Sequence, residues 1–201
     1  MNIYLVRHGE TDWNKERKLQ GQSDIELNEY GRQLAQITAK GLKDVDFDYA
    51  FTSPLIRAKE TAQIILSGKN VTLKEDDRLK EISFGVEEGQ DIPYIKENKS
   101  NPLYNFLFGM ENFVPPENGE SFQDIFERSS QFINEKLLPL EKTQKNVLIV
   151  AHGAVNRSII NEIMGIPIED FWKVKLQNCS VTQINCKDGI LSVIDESKIF
   201  Y

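Results

Sequence analysis

NIYLVRHGETDWN, residues 2–14, begins with a run of apolar side chains and breaks into an arginine, a histidine and a glycine. The run over 2–7 reads as a short buried strand. KNVLIVAH, residues 145–152, is the most apolar stretch of the chain, and it also ends on a histidine followed by glycine. The protein has two histidines, His8 and His152. Each stands where a buried strand gives way to a loop or a helix.

The segments between these runs alternate. LNEYGRQLAQITAKGL (27–42) predicts an amphipathic helix capped by Asn28, with Leu34, Ile37 and Leu42 on one face. DYAFTS (48–53) and NVTLKE (70–75) predict further strands. SPLIRAKETAQIIL (53–66) predicts a helix with Ser53 at its N-cap and Pro54 in its first position. SFQDIFERSSQFINEKLLPLE (121–141) predicts one long helix, opened by the pair Ser121 and Asp124. GAVNRSIINEIMG (153–165) predicts a helix stopped at Gly165, with Pro167 beyond it. CSVTQINC and GILSVID predict a terminal hairpin turned at KDG. Residues 82–118 carry glycines, prolines and short apolar clusters such as PLYNFLF, and read as an insertion of short helices and loops.

This alternation implies an α/β fold, a three-layer α/β/α sandwich around a mostly parallel sheet. The expectation is a single domain over 1–201 with a lid-like insertion at about 82–118. Ligands of such sheets bind at the carboxyl ends of the strands. Both histidines therefore face one edge.

The formal net charge of -7 disfavours nucleic acid and anionic membranes as partners. No apolar run approaches a membrane span, and the N-terminus lacks the pattern of a signal peptide. Cys179 and Cys186 form no zinc-ligand or CxxC pattern. A cytoplasmic protein with reduced thiols is expected, with no metal and no cofactor.

Arg7 lies beside His8, and Arg57 lies in the first turn of a predicted helix that follows a strand end. Helix N-termini favour anions, and a guanidinium matches phosphate oxygens. A neutral imidazole can act as a nucleophile and a carboxylic acid can protonate a leaving oxygen. Glu81, Glu10, Glu87 and Glu88 are the candidate acids. These parts suit phosphoryl transfer.

LVRHGETDWN, LQGQSDIELNEYG, TSPLIRAKETA, LKEISFGVEEG and VAHGAVNR, in this order, resemble the histidine phosphatase superfamily, the phosphoglycerate-mutase-like branch that includes small phosphatases. The resemblance implies the phosphoglycerate-mutase-like fold. It implies that His8 becomes phosphohistidine, that Arg7 and Arg57 clamp phosphate, and that His152 stabilises the transferring group. Glu81 matches the proton donor. Asn14, Gln20, Gly21 and Gly153 match positions around the substrate. The implied reaction is metal-independent hydrolysis of a small phosphomonoester. The alternatives are a cofactor-dependent phosphoglycerate mutase and a non-catalytic phosphate-binding module. Residues 82–118 contain only Lys96 and Lys99 as cations, which favours the phosphatase over a mutase with a bisphosphorylated cofactor. The organic part of the substrate and the oligomeric state stay open. PLYNFLF is expected to shape a lid through Phe106 and Phe108.

Overall fold

A computed structural model describes residues 1–201. Six strands form one sheet in the order β3-β2-β4-β1-β5-β6. In chain order, β1 (Asn2–Arg7) leads to a short helix α1 (Asp12–Lys15) and the long α2 (Glu29–Gly41). Next come β2 (Tyr49–Thr52), α3 (Ile56–Ile65) and β3 (Leu73–Glu75). The insertion carries α4 (Ile92–Glu97) and α5 (Tyr104–Phe108). The chain closes with α6 (Phe122–Phe132), β4 (Asn146–Ala151), α7 (Gly153–Met164), β5 (Val181–Lys187) and β6 (Ile190–Lys198).

β3, β2, β4 and β1 are mutually parallel, and β5 and β6 are antiparallel additions at one side. The most apolar strand, β4, takes a central place because its side chains are covered on both faces. Val147, Ile149 and Ala151 pack into the cluster that holds Ile125 and Phe132 of α6 and Val155 and Ile159 of α7. Leu148 and Val150 pack with Ala58, Ala62 and Ile65 of α3. The alternation of one strand thus separates two helical layers.

Local signals explain several boundaries. Asn28 accepts from Gly31 N at 2.8 Å and caps α2. Gly165 stops α7 in the left-handed conformation (φ 64°). Asp188 and Gly189 turn the terminal hairpin with positive φ at both positions, as a two-residue turn between right-twisted strands requires.

Three expectations need correction. Ser53 does not cap α3. Its Oγ accepts from Leu55 N at 3.3 Å in a turn, and the helix starts at Ile56. The helix expected over 121–141 is α6 only to Phe132, followed by a wider turn over Ile133–Leu137 and a tight one around Pro139. Pro139 cannot donate the next helical hydrogen bond. The strand expected over 70–75 pairs only from Leu73. No helix is long and apolar enough to cross a membrane.

Candidate active site

The register of two strands makes the site. β1 and β4 run side by side in parallel with Arg7 opposite Ala151. The next residue of each strand is a histidine. His8 and His152 therefore leave the sheet as neighbours, with ring centroids 5.0 Å apart. Both are buried.

Their hydrogen bonds fix opposite tautomers. His8 Nδ1 lies 2.6 Å from the carbonyl oxygen of Gly9, so Nδ1 carries the proton and Nε2 keeps its lone pair. Arg57 Nε donates to His152 Nδ1 at 3.2 Å, so the proton of His152 sits on Nε2. That Nε2 is buried with no protein partner. One ring offers a lone pair, and its neighbour offers an unused N–H.

Both rings are held neutral. Burial lowers the pKa of His8 well below the usual histidine value, and the charges of Arg57 and Arg7 lower it further. Burial likewise lowers His152, helped by Arg57 and by a proton on His8.

The arginines are tethered to backbone oxygens and form no direct ion pair, with Glu81 the nearby negative charge for both. Arg57 donates to Ser23 O and Gly21 O, both at 2.7 Å. Burial brings its pKa down to about 10. Arg7 Nη1 donates to Leu176 O at 2.7 Å, while its buried Nε has no partner. The left-handed Gly21 (φ +54°) is crowded by the Glu88 carboxylate, so a larger residue there would disturb the carbonyl that holds Arg57.

Glu81 lies across from these groups. Its oxygens accept from Ala154 N at 3.0 and 3.1 Å and from Val155 N at 3.2 Å, at the start of α7. The carboxyl thus caps the helix that begins after His152. Gly153 opens that helix, and its N–H has no intrahelical partner. The other candidate acids are engaged elsewhere. Glu88 accepts from Gln22 N at 2.8 Å and Ser23 N at 2.7 Å. Glu10 accepts from Asn28 Nδ2 at 3.0 Å, and Glu87 accepts from Gln90.

A cavity of about 180 Å³ unites the set. Arg7, His8, Asn14, Gln20, Gly21, Arg57, Glu81 and Gly153 all line it. His152 is fully buried against His8. Asn14 has a second task, accepting from Thr11 N at 3.1 Å in a capping box.

Sequence reasoning missed Arg157, Lys18, Trp172 and Asn178. The first three line the cavity. Arg157 follows Gly153 by one helical turn, a spacing that puts both on one face. Trp172 and Asn178 lie far along the chain and carry no local signal. Of the segment expected to form a lid, Phe106 and Leu107 line the cavity. Phe108 does not, and is 53% exposed.

The sequence profile of the histidine phosphatase superfamily (branch 1) matches residues 3–195. The chain belongs to that superfamily. A probable phosphoglycerate mutase, GpmB, of Escherichia coli is 32% identical over 190 residues, covering 94% of this chain and 87% of its own length. Among solved structures, this histidine phosphatase superfamily member is similar to Bacillus stearothermophilus YhfR (TM-score 0.89, 32% identity, 98% and 97% of the two chains). It is also similar to a mutant phosphoserine phosphatase from Entamoeba histolytica, solved in complex with phosphoserine (TM-score 0.83, 30% identity, 98% and 96% of the two chains). The relatives of this superfamily member thus include both phosphatases and probable mutases.

Proposed function

We propose that this protein hydrolyses small phosphomonoesters without a metal, through a phosphohistidine on His8. The observation that carries the reading is the contact of His8 Nδ1 with Gly9 O, which leaves Nε2 as a buried lone pair between cationic groups.

Arg7, Arg57 and the Nε2–H of His152 hold the phosphoryl oxygens. The lone pair of His8 Nε2 attacks phosphorus as the ester P–O bond breaks. Glu81, in its acid form, gives a proton to the leaving oxygen. Water then attacks phosphorus, the P–N bond breaks, and Glu81 takes the proton back. The charge on the transferring group meets guanidinium and imidazole donors that are already in place.

Hydrolysis is favoured over mutase chemistry because the cavity is small, about 180 Å³, and the insertion brings no cation to it. Lys96 and Lys99 are exposed, and neither lines the cavity. Hydrolysis and mutase chemistry are distinguished by the acceptor that takes the phosphoryl group from His8.

The deciding experiment is phosphate release from a panel of monoesters, with EDTA present and His8→Ala alongside. Release by the wild type, none by the variant, and an acid-labile phosphoenzyme would support the reading. Interconversion of 2- and 3-phosphoglycerate without release would replace it with the mutase. Binding without either activity would leave a phosphate-binding module.

A further inference from the structure

Glu88 belongs to the FGVEEG stretch (84–89), and the steps above leave it without a task. It follows a short helical turn over Gly85–Glu87, early in the insertion. Its partners are amides and a hydroxyl. Oε1 accepts from Gln22 N at 2.8 Å and from Phe84 N at 3.2 Å. Oε2 accepts from Ser23 N at 2.7 Å and from the Ser23 hydroxyl. Backbone bonds join the same two segments. Gly89 N donates to Leu19 O at 2.8 Å, and Leu19 N donates to Gln90 O at 3.0 Å. The carboxylate comes this close because residue 21 is glycine, where a Cβ would collide with Oε1.

The Gly21–Gln22 peptide lies between two charged groups. Its N–H donates to Glu88, and its carbonyl accepts from Arg57 Nη2 at 2.7 Å. The N–H and C=O of a trans peptide point in opposite directions in one plane. Carboxylate and guanidinium therefore grip this unit from its two ends. The row continues beyond Arg57, whose Nε donates to His152 Nδ1 at 3.2 Å. The opposite nitrogen of that ring, Nε2, is the buried N–H without a protein partner. Carboxylate, peptide, guanidinium and imidazole thus form one continuous row of hydrogen bonds. In such a row each bond polarises the next, and the low dielectric of a protein interior strengthens the effect. A carboxylate on the N–H makes the Gly21 carbonyl a fixed and stronger acceptor for Arg57. Burial lowers the Arg57 pKa to about 10, and the charges of Glu81, Asp24 and Glu88 act against that fall.

We propose that Glu88 is a positioning residue. Through the Gly21–Gln22 peptide and Arg57 it fixes the ring of His152, and with it the N–H offered to a bound phosphoryl group. This rests on the phosphate site proposed above. Glu88 does not line the cavity, so it acts through these partners and not on substrate. The insertion that supplies Phe84 and Phe106 to the cavity wall thereby also holds the phosphate clamp in register.

The test uses Glu88→Gln, which keeps the size of the side chain and one acceptor oxygen but loses the charge. Imidazole 15N spectra near neutral pH need no ligand, and the chain has only two rings to resolve. The His152 Nδ1 resonance is expected to move toward that of a free ring nitrogen. The resonances of His8, fixed by Gly9 O, should stay. Unmoved His152 nitrogens overturn the proposal, and so do equal movements of both rings. The second readout is the affinity for inorganic vanadate, which takes up the five-coordinate geometry of phosphoryl transfer. Glu88→Gln is expected to weaken it about tenfold, the scale of one charge-assisted hydrogen bond. On an Arg57→Lys background the same change should have almost no further effect. An unchanged affinity, or a loss of equal size in both backgrounds, overturns the proposal, because a role in folding alone does not pass through Arg57. Should Glu88→Gln fail to fold, Glu88→Asp goes through the same cycle: a loss that depends on Arg57 supports the role, and no loss or an independent one overturns it. If the wild type binds no vanadate, the phosphate site proposed above fails, and the ring spectra alone decide for Glu88.

Discussion

Arg57 Nε donates to His152 Nδ1 at 3.2 Å, and the same guanidinium holds the loop carbonyls of Gly21 and Ser23. One buried side chain thus orients the histidine that faces His8 and fixes the loop bordering the cavity. A lysine cannot reproduce three donors in one plane. Arg57→Lys is expected to lower kcat/KM on the order of 10²- to 10³-fold, the cost of losing a preorganised donor to a developing anion. Steady-state kinetics check this, and a fall of less than about tenfold would contradict the assigned role.

The two histidines make stability depend on pH. Their folded pKa values lie well below 6.5. As pH falls through 6.5 the unfolded chain takes up protons at these positions, while the native protein does not. The extra protons favour the unfolded state. The stability tied to the neutral rings is complete above roughly pH 6.5 and is lost below it, by at most about 1.4 kcal/mol per pH unit for each ring. Melting temperatures between about pH 7.5 and 4.5 should fall more steeply for wild type than for His152→Asn. Parallel curves would exclude this linkage. The same depression places the acid limb of kcat/KM well below about pH 6.5, once the ionisation of the substrate is allowed for.

Glu81 is assigned both a cap and a proton donor, and a single substitution separates the two. Glu81→Gln keeps an oxygen for the amides of Ala154 and Val155 but has no proton of the right acidity. With alkyl esters kcat should drop on the order of 10²- to 10⁴-fold. With p-nitrophenyl phosphate, whose leaving group needs no proton, the loss should be far smaller. Equal losses on both would remove Glu81 from the acid role.

Asn178 bridges the segment before β5 to the loop after β1. Its Nδ2 lies 3.0 Å from His8 O, 3.2 Å from Gly9 O and 3.3 Å from Asn14 Oδ1. Gly9 O is also the acceptor that fixes the tautomer of His8. Asn178→Ala leaves these acceptors short of a donor, which costs about 1–3 kcal/mol. A melting temperature several degrees lower and a kcat about tenfold lower are expected, with KM nearly unchanged. A change confined to KM would place Asn178 on substrate instead.

Phe106 and Phe108 should behave differently, although they are near neighbours in the chain. Phe106 is buried against Phe84, Phe122 and Trp172, and it lines the cavity. Phe106→Ala should cost about 3–5 kcal/mol and disturb the substrate ranking. Phe108 is exposed, and Phe108→Ala should stay within about 0.5 kcal/mol with the ranking intact. Chemical denaturation and the ester panel test both.

The sequence alone determined the layers, because apolar runs of strand length alternate with helical periodicity, and it placed both histidines at strand ends. It named Arg7 and Arg57 from their places at strand and helix ends, and Glu81, Asn14 and Gln20 through the resemblance of their segments to the superfamily. Local pattern misjudged the ends of elements. Ser53-Pro54 has the composition of a helix start, but its hydroxyl closes a turn, and α3 begins where backbone contacts allow. Tertiary structure decided what depends on distance across the chain. The parallel register of β1 on β4 set the histidines side by side. The fold also set Glu81 apart from Glu10, Glu87 and Glu88 by seating it on the first amides of α7, and it brought Trp172 beneath the guanidinium of Arg157 and Asn178 onto the carbonyl of His8. Periodicity reports which face of an element is buried. It does not report which remote residue arrives there, since that is fixed only when the layers close.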